Sequence, residues 1–367
     1  MSFARANWLA FIFLSACSFA TAQAQPQQVD AIFSRLIAPG DPGAAVLVVK
    51  DSRTVFEHGY GVTDLRTHHP IDASTNFRLA SVTKQFTAMA IMLLAHDGKL
   101  HYDDPLTGIF PEFPSYGKNI TIRNLLNHTS GLPDYEDLMS PQPANLPEVK
   151  QITDAEVLAL LEKQTSGRFA PGSRWAYSNS GYVVLGLIVQ KASGEPFPQF
   201  LHDRIFGPLH MDHTLAYVKG TNEVSDRAFG HTKISGKWQQ TNQSPTSATL
   251  GDGGVYSSSH DLFKWDEALR NHTLLTEAEM QPALTPIKVA SAPPEEPDGR
   301  RAEYGFGWFL NPYKDHARMW HYGETIGFRT SIQRFPNNGL TVIVLGNRAD
   351  LNAIGLALQV SDLFLGR

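Results

Sequence analysis

The sequence predicts an α+β fold, an α/β sandwich in which helices flank one antiparallel sheet and a mostly helical region is inserted. Two observations support this prediction. Near the N-terminus, the β-like segments Ala44–Lys50 and Thr54–Val62 surround a short polar turn and form a predicted hairpin. Near the C-terminus, three more β-like segments follow one another: Arg318–Glu324, Phe328–Phe335 and Leu340–Asn347. Strands at both ends, with helices between them, predict one sheet assembled from the two ends of the chain.

The central section has the spacing of apolar residues that is typical of helices. One predicted helix begins near Ser81 and ends before Gly98, a residue type that often follows a helix C-terminus. Thr153 and Glu156 have the spacing of a capping box at the start of another helix. The other segments with helical spacing are Thr121–Thr129, Thr153–Gln164, Gly181–Ser193 and a closing amphipathic helix at Leu351–Leu365.

Three segments are predicted turns or loops. Pro336–Gly339 has the sequence Pro-Asn-Asn-Gly, which is typical of a hairpin turn between two strands. The segments Ser140–Val149 and Ser291–Arg301 are rich in proline and polar residues, which favours surface loops.

The first residues have the pattern of an export signal. Arg5 is the only charged residue before the apolar stretch Leu9–Ala20, and Ala22–Ala24 has the small residues of a cleavage site. Cys17, in the sequence Leu-Ser-Ala-Cys, offers an alternative in which the protein is a lipoprotein anchored through this residue. We therefore expect a periplasmic or secreted protein without a transmembrane span. The predicted organisation is a signal peptide over 1–24 and a single domain over 25–367, with a sheet part at about 25–80 and 250–367 and a helical part at about 81–249.

The composition is that of an ordinary globular protein, with 367 residues of which 42% are hydrophobic and 18% are charged. Residues 1–24 contain one basic residue and no acidic one, so their removal changes the formal net charge from −5 to −6. An acidic chain without a basic run is a poor partner for nucleic acid or anionic membranes. Cys17 is the only cysteine, so the mature chain has neither a disulfide nor a thiol nucleophile.

Ser81 and Lys84 lie three residues apart at the start of a predicted helix, so their side chains share one face. In the first turn the N–H of Ser81 has no intrahelical acceptor, which suits an oxyanion formed when the hydroxyl attacks a carbonyl. Lys84 could take the hydroxyl proton if burial and a neighbouring cation lowered its pKa. On its own, the pair is also compatible with an N-cap serine beside a surface lysine.

Tyr177 and Asn179 directly precede a predicted helix in the sequence Trp-Ala-Tyr-Ser-Asn-Ser-Gly. The Tyr177 phenol could relay a proton if its pKa fell beside Lys84. The Asn179 amide could bind both the lysine and a substrate carbonyl. Alone, this pattern also fits a packed tyrosine and an asparagine in a turn.

His321, Tyr322 and Gly323 lie on a predicted strand and are followed by Glu324. A glycine within a strand often allows another backbone or a ligand to approach closely. If this strand is at a sheet edge, it could bind an extended substrate, and the N–H of Glu324 could be a second oxyanion donor. A single histidine on a strand is also compatible with a structural role.

Taken together and in this order, Ser-x-x-Lys, Tyr-x-Asn and His-x-Gly resemble the serine β-lactamase and penicillin-binding family, especially its class C branch. That branch includes class C β-lactamases, D-Ala-D-Ala carboxypeptidases, D-amino-acid peptidases and esterases. The segments His128–Tyr135, Gly251–Trp265 and Gly327–Phe328 also resemble family segments, as framework elements, so the resemblance covers nearly all of the mature chain. It implies a β-lactamase/transpeptidase-like fold.

By this resemblance, Ser81 is the nucleophile that becomes acylated, and Lys84 and Tyr177 share the roles of general base and acid. Asn179 positions the lysine and the substrate, and His321 occupies the position where many relatives have lysine. The implied mechanism has two steps, formation of an acyl-enzyme and its hydrolysis, and needs no metal and no cofactor.

The resemblance also places Tyr322, Gly323 and Glu324 at the substrate, with the N–H groups of Ser81 and Glu324 as the oxyanion hole. Many β-lactamases and carboxypeptidases have threonine where this chain has Tyr322, and the threonine hydroxyl helps to bind a substrate carboxylate. The bulky phenol and the carboxylate of Glu324 therefore make anionic β-lactams poorer substrates. His321, with an ordinary pKa of about 6.5, would make activity depend on pH around neutrality.

The sequence thus predicts a serine hydrolase that cleaves small esters or the amide bonds of short peptides, including peptides with D-amino acids. A true class C β-lactamase is the second hypothesis, and a penicillin- or peptidoglycan-binding protein with little turnover is the third. The expected partner is a small-molecule or short-peptide substrate, cell-wall peptides among them. A zinc hydrolase is disfavoured because the 14 histidines form no H-E-x-x-H pattern, and a Ser-His-Asp hydrolase because G-x-S-x-G is absent.

Overall fold

The computed structural model describes residues 25–141, 149–289 and 303–365. The predicted signal peptide at 1–24, the predicted loop at Ser291–Arg301 and most of the one at Ser140–Val149 lie outside these residues. None of the helices in the described part of the chain is long and apolar enough to cross a membrane.

The described residues form strands and helices that we number in chain order. The strands are β1 (Ala44–Lys50), β2 (Arg53–Tyr60), β3 (Phe77–Arg78), β4 (Leu215–Ala216), β5 (His231–Ile234), β6 (Lys237–Gln240), β7 (Val255–Ser257), β8 (Met319–Thr325), β9 (Phe328–Phe335) and β10 (Leu340–Gly346). The helices are α1 (25–34), α2 (Lys84–His96), α3 (Leu106–Ile109), α4 (Ile122–Leu126), α5 (Tyr135–Leu138), α6 (Asp154–Glu162), α7 (Asn179–Ser193), α8 (Phe197–Leu201), α9 (Ser259–Arg270), α10 (Glu277–Leu284) and α11 (Ala353–Phe364).

The main sheet has five antiparallel strands in the order β2-β1-β10-β9-β8. It joins the N-terminal hairpin to the C-terminal strands, because β1 pairs with β10 in a register that places Leu47 opposite Ile343. The predicted fold class, with one sheet assembled from both ends of the chain, is confirmed. The sheet ends at β8, so the strand that carries His321 is an edge strand.

Both faces of the sheet are covered, which explains why β1 is buried along almost its whole length. Because side chains alternate between faces, Val46 and Val344 belong to a core shared with α1 and α11, whereas Leu47 and Ile343 belong to the core that contains α2 and α7. The second core is the larger one. It fixes α2, and with it Ser81, against the sheet.

The predicted helix boundaries hold where capping residues define them. The Thr153 side chain accepts a hydrogen bond from the Glu156 N–H at 3.3 Å, and the Glu156 carboxylate accepts one from the Thr153 N–H at 2.9 Å. This confirms the predicted capping box of α6. Gly98 follows α2 with a φ of +66°, a left-handed conformation that glycine adopts without steric cost.

Two regions differ from the sequence-based expectation. The helix predicted over Thr121–Thr129 is only α4, because His128 has a left-handed φ of +62° that ends the helical turn. The section predicted to be mostly helical also contains β4, which joins the small sheet β3-β7-β4, and the separate hairpin β5-β6. β4 is too short, and β5 and β6 are too polar, for their pattern to be recognised in the sequence.

Candidate active site

Ser81 lies in a tight 3₁₀ turn, Ala80–Thr83, and α2 begins only at Lys84. The expectation of a single helix from Ser81 is thus corrected in its first turn. Ala80 has a φ of +49°, which is unfavourable for a residue with a side chain and often found beside functional groups. Hydrogen bonds to two strands hold the residue before this turn. The Leu79 N–H donates to the Val255 carbonyl at 2.9 Å, and the Thr330 hydroxyl donates to the Leu79 carbonyl at 2.8 Å.

Lys84 is fully buried, and its amine contacts three oxygen atoms. Its Nζ lies 3.0 Å from Ser81 Oγ, 2.9 Å from Asn179 Oδ1 and 2.9 Å from the carbonyl oxygen of Asp252. A neutral amine has two N–H groups and one lone pair. The two N–H groups can therefore bind the amide and carbonyl oxygens while the lone pair faces the serine hydroxyl.

Burial favours this neutral form of Lys84. Desolvation lowers the pKa of its amine to about 8, although the charges of Asp252, Asp134 and Glu136 oppose the shift. The aromatic rings of Tyr177 and Tyr182 lie 4.9 and 5.5 Å from Nζ. The predicted mechanism required a lowered lysine pKa, and the burial of the amine supplies it without a neighbouring cation.

Tyr177 contacts the nucleophile, but its pKa moves in the opposite direction from the one that a basic phenolate requires. Burial raises the pKa of the Tyr177 phenol well above 10, and a hydrogen bond with Ser81 only partly opposes this rise. The condition that its pKa falls beside Lys84 is therefore not met. A neutral phenol next to Ser81 can donate a proton, so its chemistry here is that of an acid or a hydrogen-bond donor.

Asn179 is the first residue of α7, whose N-cap is Ser178. Its amide is oriented by two contacts, because Oδ1 faces the Lys84 amine and Nδ2 donates to Glu136 Oε1 at 3.1 Å. The structure thus brings together four of the predicted residues, Ser81, Lys84, Tyr177 and Asn179.

His321 is fully buried, and its expected titration near neutrality is wrong. Desolvation, followed by the charge of Lys84, lowers the pKa of its imidazole to about 3. The ring lies between Tyr304, whose hydroxyl is 3.2 Å from Nε2, and the backbone of Tyr322. His321 is therefore a neutral, packed ring, and its centre lies 6.2 Å from the centre of the Tyr177 ring.

Of the three residues predicted to contact substrate, only Glu324 lines the cleft in front of Ser81. A Cβ at Gly323 would lie 2.0 Å from the Leu79 carbonyl oxygen, so this glycine permits the close approach of another backbone rather than of a ligand. Tyr322 stacks on Trp320 and Phe309, with ring centres 5.9 and 6.2 Å away.

The outer edge of β8 is paired at Trp320. Trp320 exchanges both backbone hydrogen bonds with Phe309, at 2.9 Å each, so its N–H points away from β9. Backbone groups of a strand alternate in direction, which places the N–H of Glu324 on the same outer edge. This geometry agrees with the expected position of a second oxyanion donor.

Two acidic residues that the sequence analysis did not single out line the same cleft, Asp252 and Glu136. Asp252 belongs to the segment Gly251–Trp265, which was interpreted as framework, and Glu136 directly follows another such segment, His128–Tyr135. The only sequence signal was their place beside those segments. Their approach to Ser81 is a tertiary contact that no local pattern reveals.

Comparison with known proteins identifies the family. A sequence profile of the Beta-lactamase family matches residues 29–361. The chain belongs to the Beta-lactamase family. Penicillin-binding protein 4* of Bacillus subtilis (strain 168) is 31% identical to it over 341 residues, which cover 89% of this chain and 73% of that protein. These matches confirm the family resemblance that the sequence motifs indicated. The protein is a hydrolase of the serine β-lactamase superfamily.

Solved structures show the same fold over nearly the whole chain. An octameric penicillin-binding protein homologue from Pyrococcus abyssi has a TM-score of 0.78 and 25% identity, and the alignment covers 95% of this chain and 78% of that one. A D-amino acid amidase from Ochrobactrum anthropi, in complex with L-phenylalanine amide, has a TM-score of 0.78 and 26% identity, with 94% and 97% covered.

Proposed function

We propose that this protein is a serine hydrolase that forms an acyl-enzyme on Ser81 and cleaves small esters or the amide bonds of short peptides. The observation that carries the proposal is that the buried Lys84 amine lies 3.0 Å from Ser81 Oγ. Its other two contacts are with oxygen atoms that accept hydrogen bonds, Asn179 Oδ1 and the carbonyl oxygen of Asp252. Such a lysine is arranged to accept the serine proton.

The reaction divides into two displacements at the same carbonyl carbon. Ser81 Oγ attacks the carbonyl while its proton moves to the neutral Lys84 amine, and the leaving alcohol or amine takes up a proton as its bond to carbon breaks. The proton on Lys84 replaces the one that the leaving group took from the site, so the amine is neutral again before the second step. Water then attacks the acyl ester and gives a proton to Lys84, and Ser81 Oγ takes up a proton as its bond to the acyl carbon breaks. Tyr177 is a neutral phenol that is hydrogen-bonded to Ser81, so it is placed to donate a proton to the leaving group.

The developing oxyanion needs donors in front of the serine. The backbone N–H of Ser81, in the first turn before α2, and that of Glu324, on the outer edge of β8, are the donors that this geometry favours. Removing one donor from such a pair typically costs about a hundredfold to a thousandfold in kcat.

The substrate class follows from the cleft and from the relatives. A cleft lined by Asp252, Glu136 and Glu324 disfavours anionic ligands, which supports esters and amides over carboxylate-bearing β-lactams. The similarity to a D-amino acid amidase supports small amides, with D-amino acids among the acyl groups. A class C-type β-lactamase remains the second hypothesis, because the profile of the Beta-lactamase family matches residues 29–361. The similarity to penicillin-binding protein 4* supports the third, a penicillin-binding protein with little turnover.

Parallel turnover assays test the proposal. Residues 25–367 and the Ser81→Ala variant are assayed with nitrocefin, p-nitrophenyl butyrate and a D-Ala-D-Ala peptide, and are labelled with a fluorophosphonate and a fluorescent penicillin. Ester or peptide turnover that disappears in Ser81→Ala supports the proposal. A protein that fluorescent penicillin labels but that turns over none of the substrates would be a binding protein. A chain that is neither labelled nor active would refute catalysis altogether.

We expect nitrocefin to be hydrolysed at least about tenfold less efficiently than the neutral ester, because its carboxylate meets the acidic lining. The measurement is kcat/KM for both substrates at low and high ionic strength. Added salt should raise the nitrocefin value selectively, since it screens repulsion. Nitrocefin turnover that equals or exceeds ester turnover would make the protein a β-lactamase.

The pH profile of kcat/KM for a neutral ester should rise with pH and level off above about 8. The neutral form of Lys84 is the base and its pKa is about 8, so activity falls about tenfold per unit below this value. His321, with a pKa of about 3, should not contribute near neutrality. An acid limb with a midpoint near 6.5 that moves in His321→Asn would contradict both assignments.

We further propose that the chain is exported, with residues 1–24 removed before Gln25. The support is the apolar stretch followed by the small residues Ala22–Ala24. The mass and N-terminal sequence of the protein from the producing cell test this. A lipid on Cys17 would show that the lipoprotein alternative is correct.

A further inference from the structure

Asp252 has a buried carboxylate oxygen that no group in the described part of the chain binds. The residue is 6% exposed and lines the cleft in front of Ser81. Its Oδ2 accepts a hydrogen bond from the Tyr135 hydroxyl at 3.2 Å, whereas Oδ1 has no hydrogen-bond partner within the described ranges. Burial of such an oxygen is unfavourable unless a cation or a donor compensates it. Because Asp252 lines the cleft, a cationic ligand there can compensate its carboxylate.

Two further carboxylates line the same cleft, Glu136 on α5 and Glu324 on β8. Desolvation, and then the charge of Asp134, raise the pKa of Glu136, and the charge of Asp252 adds to this rise. Glu324 lies 3.7 Å from Arg329, a loose ion pair at the outer edge of the sheet. The cleft therefore holds an excess of acidic groups close to the nucleophile.

The nearby cations do not remove this excess during the reaction. Lys84 contacts the backbone carbonyl of Asp252 rather than its carboxylate, and in its base form it carries no charge. Arg78 also lines the cleft, with Nη2 and Nε donating to the carbonyl oxygens of Ser247 and Gly253 at 3.0 and 3.3 Å, and its single positive charge offsets only one of the three carboxylates. Asp252 and Glu136 therefore lose the charge of Lys84 as a counterion when the enzyme becomes active.

We propose that the cleft binds a protonated amine of the substrate against Asp252, with Glu136 as the second carboxylate, so that the enzyme prefers esters or amides with an ammonium group near the scissile carbonyl. This inference rests on the proposed function, because it concerns the substrate of the Ser81 site. An ammonium group has three donors and can bind the carboxylates that line the cleft, and such charge-assisted hydrogen bonds are strong. A neutral substrate leaves the buried Asp252 carboxylate uncompensated, and a site rejects ligands that leave its buried polar groups unpaired.

The same ammonium group would promote the base form of Lys84, because a second positive charge nearby lowers the pKa of the lysine. The titratable groups whose charges or rings act at Lys84 are Asp134, Glu136, Asp252, Tyr177, Tyr182, His128 and His321. The two histidines have lowered pKa values and the two tyrosines raised ones, so these four are neutral near pH 8. The acid limb of kcat/KM should therefore lie at lower pH for an ammonium substrate than for its neutral counterpart.

Matched methyl esters test the preference in the purified chain. 3-Aminopropanoate, butanoate and succinate monoesters have acyl chains of similar length that end in ammonium, methyl and carboxylate. A second pair carries the amine on the leaving group, with 3-dimethylaminopropyl butanoate compared with 4-methylpentyl butanoate. In at least one of the two sets, we expect kcat/KM for the ammonium ester to be at least about tenfold higher than for its neutral partner. The succinate monoester, which carries the carboxylate, should have the lowest value.

Charge-removing variants identify the residues. Asp252→Asn should lower the ratio of ammonium to neutral ester turnover about tenfold, and Glu136→Gln should lower it less, because Glu136 is at the exposed rim. Glu112→Gln removes an exposed carboxylate outside the cleft lining and should leave the ratio unchanged. If Asp252→Asn fails to fold, the wild-type ratios and Glu136→Gln still decide the question.

The outcomes separate this inference from the proposed function. Hydrolysis of butanoate without an ammonium preference in either set would overturn the inference and leave the serine hydrolase intact. A preference for the carboxylate would overturn it in favour of an anion bound at the free Nη1 of Arg78. No turnover of any ester, with Ser81 unlabelled by a fluorophosphonate, would remove the proposed function and the inference together.

Discussion

Lys84→Met should lower kcat/KM for ester hydrolysis by at least about a thousandfold. General-base catalysis contributes about a hundredfold to ten-thousandfold, and in this site the lysine is also the group that orders the serine hydroxyl. Methionine has a similar length and fits a buried apolar position, so the variant should fold. Its cost in stability should be modest, because burying the amine is itself unfavourable and only the oxygens of Asn179 and Asp252 lose a donor.

Two companion variants make the Lys84 test specific. Lys84→Arg keeps a positive charge but has no accessible neutral form, so it should be as inactive as Lys84→Met. Lys163→Met, at the exposed end of α6, removes a lysine far from the serine and should retain full activity. The measurement is kcat/KM together with the rate of Ser81 labelling by a fluorophosphonate. An arginine variant with more than about a tenth of wild-type activity would show that charge, rather than proton transfer, is what the lysine provides.

The strands and helices that the sequence predicted well are those whose pattern is local. The strand predicted at Phe328–Phe335 has these bounds in the structure, and β1 likewise matches Ala44–Lys50. Both are bounded by turn residues, and β1 also carries a dense apolar run, which indicates a strand without knowledge of its partners. The β5-β6 hairpin has the turn residues Ser235 and Gly236 but no apolar run, since most of its residues are polar and half-exposed or exposed.

The electrostatic properties of the site depended on contacts that no sequence window contains. His321 was expected to titrate near neutrality, but Tyr304 and Phe309 from an earlier segment pack against its ring and exclude water. Proton relay by Tyr177 required a lowered pKa, but burial raises the pKa of its phenol despite the hydrogen bond with Ser81. Asp252 and Glu136 are more than a hundred residues apart in the chain and meet only in the cleft. Residue types and their order therefore predicted the serine, lysine, tyrosine and asparagine, but not their protonation states.

Gly323→Ala should lower kcat by about a hundredfold and the free energy of unfolding by about 2 kcal/mol. A Cβ at this position would lie 2.0 Å from the Leu79 carbonyl oxygen and 2.4 Å from Thr330 Oγ1. Neither atom can move freely, because the Thr330 hydroxyl donates to that same carbonyl. The extra methyl group must therefore separate β8 from the turn that carries Ser81.

The effect on kcat follows from what this separation displaces. Leu79 directly precedes Ala80, whose left-handed φ of +49° is maintained only while its neighbours hold the turn. Relaxation of the turn would move Ser81 relative to Lys84 and to the N–H of Glu324 at once, so kcat should fall more than KM rises. Gly108→Ala is the matched control, because its Cβ would meet nothing closer than 3.4 Å in α3. Denaturant unfolding and steady-state kinetics measure both quantities, and a Gly323→Ala variant with wild-type kcat would show that the approach of β8 to Leu79 does not position the nucleophile.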